Sequence, residues 1–71
     1  MTGAELLLKI RKIGRRRGLV VTWDPRRGKG GHGTLYVGSR RVVMPSLRAE
    51  LKTGTLHGIL VALDLDVEDL E

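Results

Sequence analysis

The dipeptide Gly38-Ser39 lies between two short runs of strand-forming residues, TLYV at 34–37 and RVVM at 41–44. Glycine followed by serine suits a two-residue type II′ turn, whose twist matches that of paired antiparallel strands. Strands joined so tightly must pair with each other, so the middle of the chain commits to a hairpin. Pro45 closes the second run, because it has no N–H to give to a ladder. The remaining residues must supply whatever covers this hairpin. The chain has 71 residues, enough for one domain with a marginal core.

A third strand precedes the hairpin. LVVTW at 19–23 is β-branched and bounded by Gly18 and by Asp24-Pro25, with Leu19, Val21 and Trp23 on one face. Trp23 belongs to that apolar set, which favours a core role over ligand stacking. Upstream, Thr2 and Glu5 form a T-x-x-E capping box, and Leu6, Leu7, Ile10 and Ile13 mark one helical stripe. Gly14 or Gly18 ends this helix, with Gly18 favoured. Downstream, Thr53-Gly54-Thr55 offers caps for a helix whose apolar positions are Leu56, Ile59, Leu60 and Leu63. The stretch 46–52 is a connector. The expected fold is therefore α+β in the order α-β-β-β-α, a three-stranded antiparallel sheet with two amphipathic helices on one face. Residues 1–71 form a single domain, with 66–71 as an acidic, flexible tail.

Composition removes several classes of function. There is no cysteine, so neither disulfides nor a cysteine metal site arise, and two histidines do not make a zinc centre. The opening MTGAELLLKI is too short an apolar run to span a bilayer and lacks the basic start of a secretory signal. A soluble, cytoplasmic protein with no membrane partner is expected. Charge is uneven: nine Lys and Arg residues between Met1 and Gly31 face only Glu5 and Asp24, whereas five acids and no Lys or Arg follow Thr53. Such a basic half suits a polyanion, with RNA or DNA foremost, although a solvated face would look similar. The acidic end can guard that surface, contact a basic partner or fray.

Between the first two strands runs DPRRGKGGHG. Successive glycine amides can form an anion-binding nest, here including Gly30 and Gly31, and Arg26, Arg27 and Lys29 add charge suited to phosphates. The Walker A Lys-Ser/Thr pair is missing, and no βαβ unit surrounds the loop. His32 can be a loop residue that bonds a carbonyl, or a general acid/base, since imidazole titrates near neutrality. A neutral imidazole can take the proton of a ribose 2′-hydroxyl while Arg or Lys steadies the charged phosphorus centre. His57, pointing away from the second helix's apolar stripe, reads as solvated.

The loop RGKGGHG followed by LYVG, the strand RRVVMP and the later ELKTGTLHGILVALDL together resemble the HicA family of toxin–antitoxin toxins. The resemblance spans roughly Ala4 to Leu65. It implies a double-stranded-RNA-binding-domain-like fold and an endoribonuclease that cleaves messenger RNA without metal or other cofactor. It places the catalytic histidine at His32, after a Gly31 that stands where the family usually has serine. A second histidine after the proline, present in many members, is replaced here by Ser46 and Leu47. The implied partners are messenger RNA and a HicB-like antitoxin. Two other readings share the same fold: an RNA-binding module that does not cut, and a protein-interaction domain whose basic face meets an acidic partner.

Overall fold

The computed structural model describes residues 1–26 and 32–70. Its elements are α1 (Gly3–Arg17), β1 (Val21–Asp24), β2 (Gly33–Val37), β3 (Arg40–Met44), α2 (Thr53–Ala62) and a closing 3-10 turn, Val67–Leu70. The strands make one antiparallel sheet in the order β1-β2-β3, which is the expected α-β-β-β-α layout.

Pairing of Val37 with Arg40 leaves Gly38 and Ser39 as the turn, and Gly38 carries the positive φ, 60°, that this tight connection needs. The ladder sets Trp23 opposite Leu35 and Leu35 opposite Val42, with Val21 opposite Val37 and Gly33 opposite Met44. Side chains alternate across a strand, so these residues share the inner face, while Thr22, Tyr36, Arg41 and Val43 share the outer one. β1 begins two residues later than the β-branched run suggests. Leu19 donates its N–H back to the Gly14 carbonyl at 2.8 Å, which still belongs to the end of α1. The turn at Gly38 also ends β2, so beyond Val21 only one further bond forms, from Gly38 N–H to the Val20 carbonyl at 2.9 Å.

α1 begins on the expected capping box. The Glu5 N–H donates to the Thr2 hydroxyl and the Thr2 N–H donates to the Glu5 carboxylate, both at 3.2 Å. Gly18 caps the other end in the left-handed conformation. The stripe of Leu6, Leu7, Ile10 and Ile13 is buried in one cluster with Leu35, Val37, Met44, Ile59 and Leu60, so both helices cover the same face of the sheet. Helix and sheet approach closely at Gly14, where a Cβ would lie 2.6 Å from Val21 Cγ2 and 3.0 Å from the Leu19 carbonyl oxygen.

α2 departs from the expected caps. Lys52 is its N-cap and gives no side-chain bond, and Thr53 is already helical. Tertiary contacts decide this start. Leu51 is buried and donates its N–H to the Met1 carbonyl at 2.9 Å, and Glu50 bridges to Thr2, so the chain enters the helix from a fixed point. The far end is a Schellman motif in which Leu65 N–H reaches the Leu60 carbonyl at 2.8 Å and Asp64 N–H reaches Val61 at 3.1 Å. Asp64 takes the left-handed position, φ 57°, and Leu60 and Leu65 are both buried.

That reversal changes the expectation for the acidic end. Instead of leaving the domain from Asp66, the chain turns back and sets Val67–Leu70 against α1. Arg17 donates to the Asp69 carboxylate at 2.6 Å, and the other Asp69 oxygen accepts the Asp66 N–H at 2.8 Å. The Asp69 carboxyl is accordingly held below its ordinary range, first by the Asp66 N–H and then by Arg17.

Two outcomes follow from these contacts. A Cβ on Gly58 meets open space, so Gly58→Ala should raise stability by up to about 1 kcal/mol through helix propensity. At Gly14 the same gain is outweighed by overpacking, which typically costs about 1–3 kcal/mol, because β-branched Val21 and a backbone carbonyl have little room to yield. Urea midpoints for the two alanine variants should therefore move in opposite directions.

The second outcome concerns pH. The Glu5 carboxyl lies below its ordinary range, chiefly because of the Thr2 N–H and then the Thr2 hydroxyl. A carboxyl whose pKa is lowered by folding stabilises the fold above its unfolded value, about 4.3, and that contribution fades as pH falls through the folded value. Glu5→Gln should thus lower the thermal midpoint at pH 7, with the deficit shrinking on acidification below about pH 4. A deficit that stayed constant with pH would assign the effect to packing instead.

Candidate active site and basic surfaces

The sheet ends at one edge with Asp24 of β1 opposite Thr34 of β2, and there the long β1–β2 connection leaves it. Asp24 shapes the exit. Its carboxylate accepts the Arg26 N–H at 2.9 Å across Pro25, an Asx-turn that sends the chain away from the ladder. Arg26 is exposed beyond this turn. The expected phosphate-binding residues Arg27, Lys29, Gly30 and Gly31 lie outside the described residues.

The chain re-enters the sheet through His32 and Gly33. His32 is exposed, directly before β2. Gly33 is buried beneath the indole of Trp23: a Cβ there would lie 2.5 Å from two ring carbons and 2.9 Å from the Asp24 carbonyl oxygen. Only glycine permits that overlap. The indole also packs on the core cluster, so Trp23 is a core residue, as its apolar neighbours suggest. The same contact ties the base of the loop to the core, so Arg26 and His32 mark the two ends of a connection with a fixed base. An exposed imidazole can act as a general acid or base toward a group that approaches from solvent.

His57 is exposed on α2 beside Leu60, Val61, Leu65 and Asp66, and does not join His32. Among the described residues, no group of three or more His, Cys, Asp or Glu is placed to hold a metal ion. No helix among them is long and apolar enough to cross a membrane.

Two further surfaces carry cations that the loop-centred reading does not use. Lys9, Lys12 and Arg16 recur at i, i+3 and i+7 along α1, with Arg15 beside them, and line a cleft of about 540 Å³ whose other wall is Asp69 and Leu70. The basic excess and its helical spacing are visible in the sequence; the opposite wall of the cleft, Asp69 and Leu70, is not. On the outer sheet face Arg41 stands opposite Tyr36, with Thr34 and Val43 alongside. This cross-strand pair follows from the hairpin register and from nothing local.

No protein-family model matches the chain, and no curated protein or solved structure matches it either.

The Trp23–Gly33 contact can be tested directly, because Trp23 is the chain's single tryptophan. Gly33→Ala should displace the indole, shift its emission to longer wavelength and destabilise the fold by about 1–3 kcal/mol. Unchanged emission and an unchanged urea midpoint would separate the loop base from the core.

Proposed function

We propose that this protein is a metal-independent endoribonuclease that cleaves messenger RNA, acting as the toxin of a toxin–antitoxin pair. The observation that carries the reading is an exposed His32 at the end of a basic, glycine-rich connection anchored to the sheet through Trp23 and Gly33. The resemblance to the HicA family supports the same assignment, and with it the likeness of the α-β-β-β-α layout to a double-stranded-RNA-binding domain.

In this mechanism His32 acts as the general base toward a ribose 2′-hydroxyl. The oxygen so activated attacks the adjacent phosphorus and displaces the 5′-oxygen of the next nucleotide, which takes a proton from solvent and leaves as a 5′-hydroxyl opposite a 2′,3′-cyclic phosphate. Holding nucleophile and phosphorus on one sugar makes the step intramolecular and lowers its entropic barrier. Arg26, Arg27 and Lys29 hold the non-bridging oxygens as charge builds on them, and amides of Gly30 and Gly31 contribute to the same anion cradle. A HicB-like antitoxin silences the enzyme by covering this loop with acidic groups, which blocks the base and the phosphate path together.

His32→Ala should reduce cleavage about 10²- to 10⁴-fold while leaving the urea midpoint unchanged. An RNA with a single 2′-deoxy sugar just 5′ of a mapped cut should resist cleavage at that bond, with EDTA present throughout. Full cleavage by the folded variant, or equal cutting of both substrates, would exclude this chemistry. RNA binding that survives with no cleavage in the wild type would instead identify a binding module.

A further inference from the structure

The cleft between α1 and the closing turn is lined by four cations, Lys9, Lys12, Arg15 and Arg16. The chain's own oxygens approach that row from the opposite wall. Lys9 Nζ donates to the Leu70 carbonyl at 3.5 Å, Arg16 donates to the Asp69 carbonyl at 3.4 Å, and neighbouring Arg17 donates to the Asp69 carboxylate at 2.6 Å. Lys12 and Arg15 line the cleft without a hydrogen bond or ion pair among the described residues, and both are exposed. Two carbonyl oxygens thus occupy the ends of the cationic row, Lys9 and Arg16, while the Asp69 carboxylate lines the cleft and pairs with Arg17 beside it, and the middle of the row is left open.

We propose that this cleft is a second RNA-phosphate subsite, apart from the His32 loop, and that Asp69 holds it partly closed in the free protein. The proposal rests on RNA being the substrate. A row with i, i+3, i+7 spacing presents charges along one line of the helix, suited to successive phosphates of a strand rather than to a single small anion. The closing contact is weak enough to be displaced. Arg17 and Asp69 are both partly exposed, with 46% and 25% of their side-chain surfaces open, and such pairs contribute little. A polyanion that releases counterions on binding competes with them easily. The Schellman reversal at Asp64 returns the acidic segment to α1, so occupancy of the cleft is a property of the fold.

The experiment measures fluorescence anisotropy of a labelled single-stranded RNA across a salt series, with every protein carrying His32→Ala so that the RNA stays intact. Asp69→Asn keeps an oxygen for the Asp66 N–H but loses the charge on Arg17. It should tighten binding about 2- to 5-fold at low salt, the equivalent of one exposed ion pair. Glu68→Gln makes the same change in net charge on the same turn, from an exposed residue that makes no hydrogen bond or ion pair among the described residues, and should tighten binding less. Replacing both Lys12 and Arg15 by serine should weaken binding and flatten the log–log salt slope by about 1.4, the loss of two single-strand phosphate contacts. Thermal midpoints of the variants confirm that they fold. Equal effects of the Asp69 and Glu68 changes, or a salt slope indifferent to Lys12 and Arg15, would overturn the subsite while leaving RNA as the substrate. Absence of RNA binding by every variant at low salt would overturn the RNA reading and the subsite with it.

Discussion

The apolar stripe of α1 shares one cluster with Leu35, Val37 and Met44 of the sheet, and the remaining elements are arranged around that contact. Leu6, Ile10, Leu35 and Met44 have no exposed surface, and burying a side chain of this kind is worth about 1.5–3 kcal/mol. Caps and exposed ion pairs contribute about 1 kcal/mol or less each. Burial therefore decides the architecture and the polar contacts refine it. A chain of 71 residues has little apolar surface to spend, so both helices serve the same sheet face.

The position of the candidate active site follows from this arrangement. The β1–β2 connection must leave the sheet at the end far from the hairpin turn, and Trp23 packs its indole over Gly33 at that exit. A side chain on Gly33 would force the indole away, so the residue after His32 is set by packing rather than by chemistry. His32 thus stands at a boundary: the residue following it is buried in the core's margin, while its own side chain faces solvent. This is a favourable place for a general base, held at its base and open to a large substrate.

Electrostatics divides the molecule differently from packing. The basic excess lies on the outward side of α1 and in the loop, and the acids gather after α2. Because the Schellman turn sends Val67–Leu70 back onto α1, opposite charges that are distant in the chain meet through Arg17 and Asp69. The meeting stabilises the domain only slightly, yet it places an anion on the helix face most suited to a polyanion. In the proposed mechanism the α1 cleft holds the strand and the His32 loop receives it.

Much of this was legible in the residues themselves. The T-x-x-E box, Gly18 as the end of α1 and the Gly38-Ser39 turn are local devices whose physics involves neighbours only three or four positions away, and each stands in the structure as its spacing implies. The periodicity of Leu6, Ile10 and Ile13 likewise announced which side of α1 faces inward. His32 could be singled out because an isolated histidine among glycines and cations is unusual in composition alone. The features that composition could not supply depend on distant partners. α2 starts at Thr53, with Lys52 as its N-cap, because Glu50 and Leu51 are tied to Thr2 and Met1, about fifty positions away. Trp23 covers Gly33 because strand pairing sets the diagonal between them. Asp69 reaches Arg17 because a left-handed Asp64, where glycine is the usual residue, turns the chain back. Local spacing determined the elements and the direction each faces; only the tertiary structure decided where they start and which charges meet, because those outcomes depend on contacts between residues far apart in the chain.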